Sequence, residues 1–274
     1  MDILSEIKKA KKYNLHSHTE FCDGRAQMIA FAQKAVELGF DLYGFSPHSP
    51  VPIVSPCNML KDNVSRYLQQ VEEIRREYSG SGTRFLAGME IDYLGKEWGP
   101  ANEYFDTIPL DYRIGSVHFV PDFTGEPVDV DGRYERFMQK MEQHFRGDIR
   151  YVVEKFYEHS IAMVEQGGFD IIGHFDKIGD NASHFQPGIE DESWYQSLVH
   201  DLINKIIESK VIVEINTKVY AERRRLFPAQ RYWRELVSAG VPIIVNSDAH
   251  VPALIDASLE EVKGMVEGCC LEMR

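Results

Sequence analysis

Residues 211–216 read Val-Ile-Val-Glu-Ile-Asn, residues 229–240 read Ala-Gln-Arg-Tyr-Trp-Arg-Glu-Leu-Val-Ser-Ala-Gly, and residues 242–250 read Pro-Ile-Ile-Val-Asn-Ser-Asp-Ala-His. Two apolar runs rich in Ile and Val, too short for helices, flank a stretch of helical period that stops at Gly240, a plausible C-cap. Short buried runs of this kind read as strands, and strand–helix–strand reads as one βαβ unit with a parallel sheet. The same rhythm extends over the chain. Further strands are expected at Tyr13–His16, Leu42–Phe45, Phe85–Ile91, Tyr112–Phe119 and Phe169–His174, with the two above at Val211–Asn216 and Pro242–Asn246. Helices are expected at Ala26–Leu38, Asn63–Tyr78, Asp148–Gln166, Ser193–Ser209, Ala229–Ala239 and Leu254–Glu267. Seven strands in this alternation predict an α/β fold closed into a barrel, one strand short of the common eight. An open doubly wound sheet is the alternative, weakened because no Gly-rich phosphate loop follows any strand.

Residues 1–274 are expected to form one such domain. The stretch from Pro121 to Gly147 shows no clear strand and is expected to be a part-helical insertion after the fourth strand, the kind of segment that serves as a lid. Of the 274 residues, 30 are Lys or Arg and 43 are Asp or Glu, a net charge of −13. An acidic surface argues against nucleic acid as a general partner, since that binding depends on neutralising phosphates. It does not exclude an anionic substrate held by metal cations. No run approaches the ~18 apolar residues of a membrane span, and the charged N-terminus lacks the apolar core of a signal peptide. Cys22, Cys57, Cys269 and Cys270 form no CxxC pair; they are expected to be reduced thiols in a cytoplasmic protein.

The chemistry collects at strand ends. In His16-Ser-His18, residues i and i+2 of an extended segment face the same way, so two imidazoles can face one metal. Asp23 follows in the next loop. His48 follows the second strand, Glu90 closes the third, His118 the fourth and His174 the fifth. Asp248 and His250 close the seventh, both pointing inward if that segment is extended. Each alone has an ordinary structural reading, as a packed histidine or a helix cap. Together they are nine N/O donors at equivalent topological positions, and strand C-termini converge on one mouth in a parallel barrel. Nine donors with a bridging carboxylate suit two or three first-row divalent ions. Cys22, beside Asp23, is read as a bystander.

With these residues in place the chain resembles the PHP (polymerase and histidinol phosphatase) superfamily, nearest to its histidinol-phosphate phosphatase branch. The resemblance is carried by His16-Ser-His18, Pro47-His48, Gly88-Met89-Glu90, Ser116-Val117-His118, Gly173-His174, Glu214-Ile215-Asn216-Thr217 and Ser247-Asp248-Ala249-His250. It implies a distorted (β/α)7 barrel with three divalent metal ions (Zn, Fe or Mn) at the strand C-termini. By the same resemblance His16, His18, Glu90 and Asp248 hold one ion, Glu90 bridges to a second completed by His118 and His174, and Asp23, His48 and His250 hold the third. Many relatives carry His where Asp23 stands.

The implied activity is hydrolysis of L-histidinol phosphate to L-histidinol and phosphate in histidine biosynthesis. Divalent ions neutralise phosphoryl oxygens and lower the pKa of water, so no Ser or Cys nucleophile is required. Asp248 is the candidate general acid/base, with His250 as the alternative. Basic residues must grip the outer phosphate oxygens. Relatives often carry an arginine after the fifth-strand Gly-His and a Leu-Arg-Lys after the sixth-strand motif; this chain offers Lys177, Lys218, Arg223, Arg224 and Arg225 instead. The partner expected is a small phosphorylated molecule, with neither nucleic acid nor membrane, the chain being a monomer or small homo-oligomer. The rivals are phosphoesterase action on another small ester or a nucleotide, a protein-tyrosine phosphatase role, and a metal-bearing regulatory module without catalysis.

Overall fold

The computed structural model describes residues 1–271. In chain order its strands are β1 (Tyr13–Asn14), β2 (Leu42–Phe45), β3 (Arg84–Asp92), β4 (Tyr112–Ser116), β5 (Phe119–Pro121), β6 (Pro127–Asp129), β7 (Ile171–Ile172), β8 (Ile212–Asn216) and β9 (Ile243–Asn246). Seven of them form one parallel sheet in the order β1-β2-β3-β4-β7-β8-β9, the sequential order of a (β/α)7 barrel. The seam between β1 and β9 is sewn largely by polar side chains. Ser17 bridges Ala249 in parallel fashion, Asn14 Nδ2 donates to Ser247 Oγ at 2.8 Å, and the Leu15 amide donates to Asn246 Oδ1 at 2.9 Å. Asparagine side chains here satisfy backbone groups that a full ladder would otherwise pair.

The N-terminal end of the barrel is closed by apolar packing. Ile3 and Ile7, on a helix spanning Ile3–Lys9, join Leu15, Leu42, Leu86, Tyr112, Ile114, Ile171, Ile212 and Ile244 in one buried cluster. Tyr112 crosses under β2 and β3: a Cβ on Gly44 or Gly88 would come within 2.2 Å of its ring or hydroxyl, so both positions need glycine. With that end filled, the opposite mouth is left for chemistry.

The expected elements shift at their ends. The first long helix begins at Met28, two residues late, and ends at Glu37. The expected helix Ala229–Ala239 is a 3₁₀ turn, Gln230–Tyr232, followed by Trp233–Ser238. The last helix runs Leu259–Leu271 after Ser258 takes a left-handed φ of 59°, so the periodicity read from Leu254 starts too early. The strand expected at Phe169–His174 pairs only over Ile171–Ile172.

The insertion departs most from expectation. It contains strand: β5 pairs antiparallel with β6 around a turn in which Asp122 Oδ1 accepts from the Thr124 amide at 2.7 Å. Three-residue strands are too short to leave an alternating signature, and Gly125 at φ 91° marks the turn. A helix, Tyr134–His144, follows and buries Phe137 and Met141. Another short helix absent from the sequence reading, Ile178–Phe185, starts directly after Lys177. Among the described residues no helix is long and apolar enough to cross a membrane.

Candidate metal centre

All nine predicted ligands meet at the C-terminal mouth. They fall into four overlapping groups whose ligand atoms lie within 4.8 Å of one another: His18, Asp23, His48 and His250; His16, His174 and Asp248; His16, His18 and Glu90; His48, Glu90 and His118. Backbone geometry explains the convergence. His16 and His18 alternate around Ser17, whose amide donates to Ser46 Oγ at 3.0 Å, while the His18 amide donates to the Ala249 carbonyl at 2.9 Å. The loop after His18 folds back so tightly that a Cβ on Gly24 would sit 2.2 Å from the His18 carbonyl oxygen, which returns Asp23 to the cluster.

Glu90 is the hub and is fully buried. Its Oε1 lies 2.9 Å from His174 Nε2 and 3.5 Å from His118 Nε2. Its Oε2 lies 3.3 Å from His16 Nε2, 3.4 Å from His18 Nε2 and 3.1 Å from His48 Nδ1. Asp248 forms a second focus, with Oδ1 3.1 Å from His18 Nε2, 3.5 Å from His250 Nδ1 and 3.2 Å from Lys218 Nζ. Asp23 Oδ2 is 3.3 Å from His250 Nε2. One premise of the sequence reading fails: Asp248 and His250 do not share an extended strand. β9 ends at Asn246, and Asp248 has a left-handed φ of 50°. Both side chains reach the mouth because that kink, tolerated by Asp more than by most residues, turns the chain. Such strain concentrates at functional sites.

The electrostatics follow from crowding. Burial alone would push the Glu90 carboxyl up, but His16, His48 and His118 outweigh it and hold it well below the usual range. Burial likewise opposes ionisation of Asp248, and Lys218, His16, His18 and Lys177 win. Burial pulls His16 down, yet Glu214, Glu90 and Asp248 raise it well above an ordinary imidazole. His18 goes the other way, lowered by burial and by its neighbours His250 and His48. Four buried atoms in the cluster, His16 Nε2, His18 Nε2, Asp23 Oδ1 and Glu90 Oε2, have no hydrogen-bond partner. Each unpaired buried polar atom costs ~1–3 kcal/mol; four together fit a place built for cations. Imidazole and carboxylate donors without thiolate suit first-row divalent ions.

Two buried carboxylates stand behind the histidines: Asp92, which the sequence reading did not single out, and Glu214, which it quoted in a motif without giving it a role. Glu214 Oε2 lies 2.7 Å from His16 Nδ1, and Asp92 Oδ1 lies 2.6 Å from His118 Nδ1. Their signal was available: Asp92 shares a strand face with Glu90, and Glu214 is an acid inside an otherwise apolar buried strand. Carboxylate partners of this kind fix a ligand ring's tautomer and orientation. Cys22 Sγ is 3.4 Å from His18 Nδ1.

The five basic residues divide. Lys218 lies against Asp248, with Nζ also 3.3 Å from His250 Nε2. Lys177 Nζ lies 3.9 Å from Asp248 Oδ2 and 2.9 Å from Asp131 Oδ2, a residue of the insertion. Burial would lower the Lys177 ammonium pKa, but Asp131 and Asp248 raise it. The arginines pair elsewhere: Arg223 with Asp180 at 2.5 Å, Arg224 with Glu261 at 3.1 Å, and Arg225 through both terminal nitrogens with Glu190 at 2.8 and 3.0 Å. They line a separate cleft of about 470 Å³ with Tyr220 and Arg231.

The histidinol-phosphatase of Bacillus subtilis is 24% identical over 260 residues, covering 88% of this chain and 94% of its own. Among solved structures, HisK of Listeria monocytogenes superposes with a TM-score of 0.79 at 19% identity, over 91% of this chain and 99% of that one. The histidinol phosphate phosphatase of Lactococcus lactis, solved with zinc, L-histidinol and phosphate, gives 0.68 at 17% identity over 94% of each. The PHP domain family matches residues 14–218, from β1 to the loop after β8, and that span includes all the clustered ligands except Asp248 and His250. This chain belongs to the PHP domain family.

Proposed function

We propose that the chain is a metal-dependent phosphomonoesterase and that its substrate is L-histidinol phosphate, cleaved to L-histidinol and phosphate. The observation that carries this reading is the convergence of nine hard-to-borderline donors, four with orphaned buried atoms, beside two lysines that face Asp248. The substrate assignment leans on the relatives' names; the phosphoesterase class leans on the site. His16, His18, Glu90 and Asp248 would hold one ion, Glu90, His118 and His174 a second, and Asp23, His48 and His250 a third, with zinc, iron and manganese all compatible with the donors. When bound, the ions neutralise phosphoryl oxygens and supply a water of lowered pKa.

The chain's own groups do the rest. Lys177 and Lys218 approach the mouth from the ends of β7 and β8 and grip the outer phosphate oxygens as point charges. Asp248, with one oxygen toward His18 and the other toward Asn216 Nδ2 at 3.1 Å, is held in one orientation. It would carry a proton from the attacking water to the departing alkoxide, with His250 as the alternative. With metal-activated water as the attacking group, no Ser or Cys nucleophile is required. Steady-state kinetics on a panel of small phosphomonoesters, with metal content measured in the same sample, test the reading. L-histidinol phosphate should give the highest kcat/KM by at least about tenfold. A higher value for another ester reassigns the substrate, and no turnover on any ester by metal-loaded protein overturns the activity.

A further inference from the structure

Asp92 has more partners than one ligand ring needs. It lies on β3, two residues past Glu90, with its side chain fully buried. Its Oδ1 meets His118 Nδ1 at 2.6 Å. Its Oδ2 accepts from Asn58 Nδ2 at 2.6 Å, and the same amide donates to the Ser49 carbonyl at 2.8 Å, one residue from His48. The Asp92 amide donates to Ser49 Oγ at 3.3 Å, and the Met59 amide closes the loop onto the His48 carbonyl at 3.1 Å. His48 Nδ1 lies 3.7 Å from Asp92 Oδ2 and 3.1 Å from Glu90 Oε2. With Glu90 committed to the ions it would hold, Asp92 would be the carboxylate left nearest to His48 Nδ1. Glu214, by contrast, hydrogen-bonds His16 and two asparagines, Asn216 and Asn246, and among the described residues makes no hydrogen bond to a second histidine of the cluster.

We propose that Asp92 is a positioning residue that ties two metal sites together, orienting His118 directly and the His48 loop through Asn58. It rests on the metal reading above. The consequence is specific: loosening Asp92 should weaken the ions held by His118 and by His48 while sparing the one held through His16.

The test uses metal-stripped full-length protein titrated with Co²⁺, whose visible absorption reports coordination, and with Zn²⁺ in competition with a chromophoric chelator. Asp92→Asn should weaken two of the ions by about 10–100-fold, the usual cost of losing such an outer partner, and leave the remaining one at wild-type affinity. Asn58→Ala should weaken one ion only. Equal weakening of all ions, or none, in Asp92→Asn overturns the tether. Should Asp92→Asn lose its fold by circular dichroism, Asn58→Ala decides: unchanged binding overturns the tether and selective loss of one ion supports it. A wild type that binds no Co²⁺ brings down the metal reading together with the tether, whereas a wild type that binds normally beside unchanged variants brings down the tether alone.

Discussion

The mouth and the arginine cleft are both dense in charge, and they are built in opposite ways. In the cleft each guanidinium has found a carboxylate: Asp180 for Arg223, Glu261 for Arg224, Glu190 for Arg225, and Glu190 with Asp191 for Arg231. In the mouth, buried histidine and carboxylate atoms crowd one another with several left unpaired. Protein interiors pair their polar groups, so a cluster of unpartnered buried donor atoms points to a missing partner more strongly than an ion-paired set does, in which only Arg225 Nε is left over among the described buried side-chain atoms. By this logic the cleft braces the loops after β7 and β8, and the mouth holds the unpaired donors that the proposed ions and anionic substrate would complete.

The contrast can be broken at several strengths. Glu90→Ala is expected to be the severest change, emptying the two sites it joins and cutting kcat/KM by ~10⁴ or more, because positioning and charge neutralisation are lost together. Full metal content measured by elemental analysis in that variant would show the hub to be structural. Asp248→Asn retains shape and one oxygen but cannot carry a proton, so kcat should fall ~10²–10⁴ with metal retained. An aryl phosphate, which needs little leaving-group help, should be slowed less than an alkyl ester; equal slowing removes the acid role.

Lys177→Met and Lys218→Met should each raise KM roughly tenfold or more at unchanged metal content, whereas Arg224→Met should stay within about twofold, under ~0.5 kcal/mol. If an arginine replacement raises KM as much as a lysine replacement does, the cleft belongs to the substrate after all and the contrast collapses. The smallest effect is expected from Arg225→Met. It removes the two-bond fork on Glu190 but leaves the single bond from Arg231 in place, so thermal melting should drop by roughly 2–6 °C, about 1–2 kcal/mol for a chain of this size, with kcat/KM nearly unchanged.

The strand rhythm was legible because the barrel strands are largely buried and read as short apolar runs, richest in Ile and Val at β7, β8 and β9. The insertion was not, because β5 and β6 draw their stability from each other and from the helix Ile149–Gln166 rather than from any local periodicity. The nine clustered donors were legible as residues at or just past strand ends. Their kinked delivery at Asp248 was not, since a left-handed φ on a non-glycine residue leaves no mark in the residue pattern.

Residue types and their spacing were enough to determine the barrel rhythm, the mouth and the donor set, because strand alternation and strand-end position are local properties that the chain writes into itself. Which basic residues face that mouth was decided only in three dimensions. Lys177, Lys218 and Arg223–Arg225 look equivalent in sequence, all just past β7 or β8. What separates them is the partners each meets from distant parts of the chain: Asp248 for Lys218, Asp131 first and Asp248 next for Lys177, and Asp180, Glu190 and Glu261 for the arginines. The pairing of a long charged side chain depends on the nearest opposite charge in space, and no one-dimensional pattern records that distance.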